Sequence, residues 1–172
     1  MSPLLRAQCV DITSLRVGAI VNAANPQLAP GGGVCGAIFR SAGAGLAEVC
    51  RSLSPCPTGE AVITPGFNLP ARFIIHAVGP VWQGGHRGEE VLLASAYQRC
   101  LELANHERIS SIAFPAISTG IYGFPAELAT RIAVSTVQGV LSRSSSVALV
   151  VFACFSQEVL ALYRREGVPA QP

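Results

Sequence analysis

The sequence lacks any run of basic residues, and only 13% of its 172 residues are charged. Hydrophobic residues make up 50% of the chain, a balance that excludes the disordered and coiled-coil classes and predicts a compact fold. The net charge is +2, and no Lys/Arg cluster is present that would neutralise a stretch of phosphate backbone. We therefore expect no nucleic-acid partner.

Closely spaced cysteine pairs and long apolar segments are also absent. No C-x-x-C pair occurs among the six cysteines, which lie far apart in apolar stretches: Cys9, Cys35, Cys50, Cys56, Cys100 and Cys154. Residues 1–8 lack the charged start and apolar core of a signal peptide, and the longest apolar run, residues 147–155, is too short to span a bilayer. We expect a cytoplasmic protein with buried, reduced thiols and no membrane partner.

No Pro/Ser-rich linker, internal repeat or charge block divides the chain. Its length is that of one ordinary domain, large enough to bury a core without disulfide or metal support. We expect a single domain over residues 1–172, and a monomer.

Short β-branched runs alternate with longer amphipathic stretches, a pattern typical of an α/β sheet covered by helices on both faces. The predicted strands are residues 4–10, 19–22, 60–64, 73–78, 111–114 and 147–153. The predicted helices are residues 34–41, 45–51, 89–105, 125–141 and 157–165. In such folds, ligands bind at the carboxyl ends of the strands, where loops lead into helices.

A glycine-rich segment, residues 30–36, follows the Asn-Ala-Ala-Asn-Pro run of residues 22–26 and leads into a helical pattern from Ala37. Glycine lets backbone N–H groups approach a phosphate closely, and a helix that begins there adds a favourable dipole. Such a loop is either an anion site or a plain turn, since glycine is common in turns for conformational reasons alone.

A second glycine-containing segment, residues 118–125, lies between the predicted strand that ends at Phe114 and a predicted helix. It repeats the arrangement of the first. A diphosphate has two charged groups, and two such loops at neighbouring strand ends could hold it from opposite sides. The pair of loops favours a diphosphate site over two plain turns.

Other nucleotide signatures fit poorly. The Gly31-x-Gly33-x-x-Gly36 spacing matches the dinucleotide fingerprint formally, but it does not follow directly on a predicted strand. Glu48 and Glu60 are poorly placed to be the acidic residue that binds the ribose hydroxyls, about 20 positions further on. Neither loop ends in the Gly-Lys-Ser/Thr of a P-loop. Assignment as an NAD-dependent oxidoreductase would therefore rest on the glycine spacing alone.

The histidines indicate no catalytic or metal centre. His76 lies in the apolar run of residues 73–78, which predicts a hydrogen-bonded interior histidine. His86 and His106 lie in polar stretches that we expect to be exposed, and no group of His, Cys or carboxylate side chains has metal-ligand spacing. We expect no metal and no cofactor.

Six segments together resemble the macrodomains of the MacroD-like hydrolase branch, in that family's order and spacing. They are VDIT at 10–13, AIVNAAN at 19–25, GGG at 31–33, TGEA at 58–61, IHAVGP at 75–80 and STGIYGFP at 118–125. The resemblance spans nearly the whole chain and implies a three-layer α/β/α fold with a central mixed sheet of about six strands. It implies ADP-ribose, O-acetyl-ADP-ribose or an ADP-ribosylated protein as the partner.

The resemblance also implies a role for each residue of the site. Asp11, as a buried carboxylate, would accept a hydrogen bond from the adenine amino group, with the Ile12 N–H nearby; such a bond is worth about 1.5 to 3 kcal/mol. Phe155 occupies the place where the family stacks an aromatic ring on adenine. Without the resemblance, Asp11 would be interpreted as a strand-end cap and Phe155 as a core residue.

For the rest of the ligand, the resemblance implies that Tyr122 lies beside the distal ribose and that Asn25 hydrogen-bonds the ribose hydroxyls. The diphosphate would be held by backbone groups of the two glycine loops. The residues that it assigns there are Gly32, Gly33, Val34, Ser118, Thr119, Gly120 and Ile121.

One segment departs from the family. Members that hydrolyse ADP-ribosyl esters usually read GGGVDGAIH, whereas residues 31–39 read GGGVCGAIF, with Cys35 in place of the acid and Phe39 in place of the histidine. A general base commonly contributes about 10²- to 10⁴-fold in rate, and Phe39 cannot supply one. The candidate catalytic residues are Asn25, by orienting a water, and Cys35, if the helix N-terminus lowers its pKa. Two functions stay open: a slow hydrolase of ADP-ribose derivatives and a non-catalytic ADP-ribose reader.

Overall fold

The structure, a computed structural model, describes residues 2–171; the single-domain expectation also covers Met1 and Pro172, which lie outside the described residues. Its strands are β1 (Leu4–Cys9), β2 (Ala19–Ala23), β3 (Ala61–Pro65), β4 (Phe73–Ala77), β5 (Ser111–Phe114), β6 (Leu149–Cys154) and β7 (Ala170–Gln171). Its helices are α1 (Gly33–Ala42), α2 (Gly45–Leu53), α3 (Glu89–His106), α4 (Ala126–Leu141) and α5 (Gln157–Arg165), with a short 3-10 helix at Ile12–Ser14.

The predicted α/β architecture is confirmed, with every predicted strand and helix present to within two residues at each end. Within residues 2–171 the sheet has seven strands, one more than the six expected. The additional strand is β7, which pairs with β1 through Ala7 and Ala170 and through Gln8 and Gln171. A strand of two residues is too short to show a periodic pattern, so it could not be predicted from the sequence.

The sheet is mixed, as expected, and its strands follow the order β3-β4-β2-β5-β6-β1-β7. Among the strands of the described residues, only β3 and β4 pair in antiparallel fashion; the other neighbours are parallel. The carboxyl ends of β1, β2, β4, β5 and β6 therefore lie along one edge of the sheet. In open α/β sheets this is the edge at which ligands bind.

Both faces of the sheet are buried, because helices pack on each of them. Successive side chains along a strand point to opposite faces and so enter different clusters. Ile20 of β2 packs in the cluster that contains Ile38 of α1 and Leu46 of α2. The adjacent Val21 packs in the other cluster, which includes Leu93 of α3 and residues of α4 and α5. Each such aliphatic side chain contributes about 1.5 to 3 kcal/mol on burial, so the central strands form a firm support for the loops at their ends.

The cysteines are free, as expected, and all are buried except the half-buried Cys9. No helix within residues 2–171 combines the length and the apolar character needed to cross a bilayer.

Candidate functional site

A cleft of about 930 Å³ lies at the carboxyl edge of the sheet. Ligand pockets typically have volumes of about 300 to 1,000 Å³. The cleft is formed by the segments that follow five parallel strands and by the first turn of α1. Its lining residues are 9–12, 23–25, 31–35, 37, 79, 115–122 and 153–155.

The first loop, residues 30–36, presents unpaired backbone donors to this cleft. Helix α1 begins at Gly33, and its N-cap, Gly32, makes no side-chain capping bond. The first-turn N–H groups of Gly33, Val34 and Cys35 have no partner within the helix, and they lie at the positive end of its dipole. Gly33 has φ +57°, a left-handed conformation that favours glycine. The loop is therefore suited to an anion.

The second loop, residues 118–125, is closed by its own hydrogen bonds. The Phe124 N–H donates to the Ser118 carbonyl at 2.9 Å, and the Gly123 N–H donates to the Gly120 carbonyl at 3.0 Å. The N–H groups of Gly120 and Ile121 make no backbone hydrogen bond within residues 2–171. This loop also offers free donors to the cleft.

The two loops face each other across the cleft. A Cβ built on Gly32 would lie 3.7 Å from Cδ1 of Ile121. The predicted juxtaposition of the two glycine loops is therefore present. Asp11 carries the only formal charge among the described lining residues, so an anion bound here would be held by main-chain N–H groups and a helix dipole.

Asp11 lies just after β1, and its side chain is exposed, so the expectation of a buried carboxylate is wrong in the ligand-free protein. The physical reason is its place at the sheet edge, where the chain turns into the 3-10 helix. Its Oδ1 caps that helix by accepting hydrogen bonds from the Thr13 N–H at 2.9 Å and the Thr13 hydroxyl at 2.7 Å. Its Oδ2 accepts no hydrogen bond from the described residues and remains free. Ile12, which follows, is buried.

Phe155 lies at the same end of the cleft as Asp11, just after β6. Its side chain is 79% exposed, so the alternative interpretation as a core residue is wrong. The ring is free to stack on a planar ligand.

Asn25 and Cys35 come together at Gly31. The Asn25 amide donates to the Ala29 carbonyl at 2.9 Å and accepts from the Ala29 N–H at 3.0 Å, so it braces the start of the first loop. A Cβ built on Gly31 would lie 3.7 Å from both Nδ2 of Asn25 and Sγ of Cys35. Asn25 retains one N–H and one lone pair for a ligand or a water.

Burial raises the pKa of the Cys35 thiol, and weaker opposing contributions come from hydrogen bonds with the Asn22 amide and the Gly31 backbone. This direction is opposite to the one considered for a thiol beside a helix N-terminus. Removing the thiol from water disfavours its thiolate form by more than these two hydrogen bonds favour it. Cys35 is therefore a neutral thiol at pH 7, poorly suited to act as a base or nucleophile.

Phe39 is buried against the α1/α2 side of the core and brings no polar group to the cleft. Tyr122 is half-buried beside Cys35, and burial raises the pKa of its hydroxyl. Thr119 is half-buried in the second loop, where its hydroxyl donates to the Ala116 carbonyl at 2.8 Å.

His76 is the hydrogen-bonded interior histidine that the sequence predicted. Its Nδ1 lies 3.0 Å from Nδ2 of Asn22, and its Nε2 lies 3.0 Å from the Thr64 hydroxyl. Burial lowers the pKa of its imidazole to about 4. His86 and His106 are exposed, as expected. No three His, Cys, Asp or Glu side chains form a possible metal site in the described part of the chain.

Two residues of the site were missed from the sequence. A Cβ on Gly79 would collide with Oγ of Ser118 and lie 2.6 Å from Cγ2 of Ile117, so only glycine lets the second loop pack here. Its place two residues after the end of β4 was the available signal. Asn22 is buried, with Nδ2 3.8 Å from Sγ of Cys35; nothing in the sequence links these two side chains.

Fold and cleft together define a three-layer α/β/α protein with a cleft between two glycine loops at the carboxyl edge of its sheet. The Macro domain family matches residues 21–133. The chain belongs to this family, and the predicted macrodomain-like fold is confirmed.

Individual relatives match over nearly the full length. A macro domain-containing protein of Chlorobaculum tepidum is 54% identical over 162 residues, covering 94% of both chains. A Klebsiella pneumoniae protein named O-acetyl-ADP-ribose deacetylase is 53% identical over 159 residues, covering 90% of this chain and 91% of that one. The Trypanosoma brucei macrodomain in complex with ADP-ribose superimposes with a TM-score of 0.90 at 37% identity, covering 95% of this chain and 68% of that one.

Proposed function

We propose that this protein binds ADP-ribose in the cleft and slowly hydrolyses ADP-ribose derivatives, either by deacetylating O-acetyl-ADP-ribose or by removing ADP-ribose from acidic side chains. The observation that carries the proposal is the pair of facing loops with free N–H groups, Gly33 and Val34 on one side and Gly120 and Ile121 on the other. A relative named O-acetyl-ADP-ribose deacetylase and a macrodomain in complex with ADP-ribose support it.

In the proposed complex the diphosphate lies between the two loops, with the purine at the Asp11 end. The free Oδ2 of Asp11 accepts from the adenine amino group, and the exposed Phe155 ring stacks on the base. At the other end, Tyr122 lies beside the distal ribose and Asn25 uses its remaining donor on the ribose hydroxyls. Each of these side chains lines the cleft.

Hydrolysis adds water to the acyl carbonyl or to the ribosyl carbon and releases a carboxylic acid. A neutral Cys35 thiol and an apolar Phe39 offer no base for this water. We propose that Asn25 orients the water and that a diphosphate oxygen of the substrate takes its proton. The absent base accounts for the slow rate, since such a group usually contributes about 10²- to 10⁴-fold.

A non-catalytic reader of ADP-ribose is the second candidate. The raised pKa of Cys35 and the burial of Phe39 favour it, because both remove chemistry and leave the binding surfaces intact. The two functions predict the same affinity for ADP-ribose and differ only in turnover.

Calorimetry with ADP-ribose tests the shared part of both functions: the expected result is saturable binding, and an absence of heat at millimolar ligand would overturn both. Release of acetate from O-acetyl-ADP-ribose, measured against buffer and against a heat-denatured sample, separates them. A rate above both controls supports the hydrolase. Acetate release at the rate of the controls supports the non-catalytic ADP-ribose reader.

We further propose that residues 1–172 form a single macro domain that acts as a monomer in a reducing cytoplasm. One sheet contains every strand of the described residues, and the six cysteines are free thiols. Light scattering coupled to gel filtration should give a mass near 17.9 kDa; twice that mass would exclude the monomer.

A further inference from the structure

Glu89, the first residue of α3, is a buried carboxylate outside the cleft. It is only 2% exposed. Its two carboxylate oxygens accept hydrogen bonds from the backbone N–H groups of every second residue in the preceding loop. These donors are Gln83 at 2.9 Å, Gly85 at 2.8 Å and Arg87 at 2.6 Å. The outer loop, residues 82–88, is thus wrapped around one charged group.

The three N–H groups stabilise the ionised form of this carboxylate. Burial alone would raise the pKa of Glu89, but hydrogen bonds from the backbone of Gln83, Gly85, Glu89 and Arg87 outweigh it and lower the pKa to about 2. An isolated buried charge is costly, so the loop conformation and the charge depend on each other.

Trp82 connects the outer loop to the second loop of the cleft. A Cβ built on Gly85, which has φ +89°, would lie 2.9 Å from Cη2 of Trp82, so the glycine packs directly under the indole ring. The Trp82 N–H donates to the Tyr122 carbonyl at 2.8 Å. Its ring centroid lies 4.7 Å from that of Phe124, at an interplanar angle of 56°.

Tyr122 and Phe124 belong to the segment that carries the free N–H groups of Gly120 and Ile121. Phe124 is buried and closes this loop through its bond to Ser118. A displacement of Trp82 would therefore move the far end of the second loop, although neither Trp82 nor Glu89 lines the cleft.

We infer that Glu89 is a positioning residue for the ligand cleft, which holds the second loop in its anion-binding conformation through residues 83–87 and Trp82. This inference deepens the proposed function and rests on it wherever it concerns ADP-ribose. Its structural part, the coupling of Glu89 to the second loop, is testable without any ligand.

The test compares Glu89→Gln with Glu90→Gln. Glutamine has the size of glutamate but offers one acceptor oxygen, so at least one of the three N–H groups loses its partner. The adjacent Glu90 is exposed and makes no described side-chain hydrogen bond, so its variant removes the same charge without touching the loop. Hydrogen exchange of the Gly123 and Phe124 N–H groups, relative to those of β1, is measured in ligand-free protein.

We expect faster exchange at Gly123 and Phe124 in Glu89→Gln, with β1 unchanged, and no change in Glu90→Gln. In calorimetry, Glu89→Gln should bind ADP-ribose about 2- to 30-fold more weakly, the range found when residues along a packed network are altered. Unchanged exchange in the second loop overturns the inference, whatever ADP-ribose does. Altered exchange in a protein whose wild type fails to bind ADP-ribose overturns the proposed function and supports the coupling.

Trp82→Leu supplies a second route if Glu89→Gln does not fold. It keeps the backbone bond to Tyr122 and removes the ring that packs on Gly85 and Phe124. It should reproduce the same local exchange and the same weaker binding. Where both variants fold, the double variant should weaken ADP-ribose binding by less than the product of the two single fold-changes, because the two residues act through one connection. A fold-change equal to that product would overturn the inference.

Discussion

Gly32 and Ile121 lie opposite each other across the cleft, with the Cβ position of the glycine 3.7 Å from Cδ1 of the isoleucine. Far apart in sequence, they belong to the two segments that carry the unpartnered N–H groups, Gly33 and Val34 in one and Gly120 and Ile121 in the other. The Ile121 side chain is 89% exposed and lines the cleft. A diphosphate placed between the loops would meet N–H groups from both sides.

Asp11→Asn should weaken ADP-ribose binding about 10- to 100-fold, since a hydrogen bond to a charged group is worth about 1.5 to 3 kcal/mol. Asparagine keeps Oδ1, which caps the 3-10 helix through Thr13, and replaces the free Oδ2 by an NH₂ group that faces the adenine amino group. Calorimetry measures the affinity, and urea denaturation should show an unchanged free energy of unfolding.

The control for this variant is Glu48→Gln, which removes an exposed negative charge on α2. It should bind ADP-ribose like the wild type. Equal affinities for Asp11→Asn and the wild type would remove adenine recognition from Asp11 and leave it only the capping role.

Phe155→Ala should reduce affinity about 5- to 100-fold, because stacking of a base on an aromatic ring contributes about 1 to 3 kcal/mol. The ring is 79% exposed, so its loss should leave the free energy of unfolding nearly unchanged. Phe155→Tyr retains the ring and should bind normally in the same calorimetric titration. Weak binding by both variants would contradict stacking.

Much of the fold and part of the site could be predicted because they depend on local chemistry. Runs such as residues 112–114 and 149–154 are entirely apolar and predict buried strands, and the glycines of both loops predict turns at strand ends. The juxtaposition of those loops follows from the parallel topology, which places successive strand ends on one edge.

The remainder depends on tertiary contacts that no spacing encodes. The exposure of Asp11, the raised pKa of Cys35 and the fit of Ser118 on Gly79 each depend on which segments meet at the sheet edge. In the sequence nothing distinguishes Glu89 from the adjacent Glu90, and only the folded outer loop shows three N–H groups converging on it.

The double variant Cys35→Asp/Phe39→His should hydrolyse O-acetyl-ADP-ribose about 10²- to 10⁴-fold faster than the wild type, the usual contribution of a general base. Nδ2 of Asn22, 3.8 Å from Sγ, is placed to donate to a carboxylate at position 35. Acetate release is the measurement.

Cys35→Ala is the matched control, and its rate should equal that of the wild type because the thiol is neutral. A large loss of activity in Cys35→Ala would show that the thiol takes part in the reaction. A double variant that binds ADP-ribose normally without gaining rate would show that the base is not the missing element.

The free energy of unfolding should fall as the pH drops from 6.5 to 4, by at most about 3 kcal/mol from His76. Burial lowers the pKa of His76 to about 4 in the folded protein. Between this value and about 6.5 the unfolded chain binds the extra proton, so acid favours unfolding. Urea denaturation at pH 7 and pH 4.5 measures the change.

His76→Gln should show a shallower pH dependence over this range, whereas His106→Gln, at an exposed position, should keep the wild-type slope. Equal slopes in all three proteins would place the acid sensitivity elsewhere.

The most direct measurement follows the backbone amide resonances of Gly33, Val34, Gly120 and Ile121 in ¹⁵N-labelled protein during a titration with ADP-ribose. Both loops should shift along one saturable binding curve, since a single diphosphate would contact both sets of N–H groups. Shifts in one loop alone, or in neither at millimolar ligand, would contradict the two-sided diphosphate site.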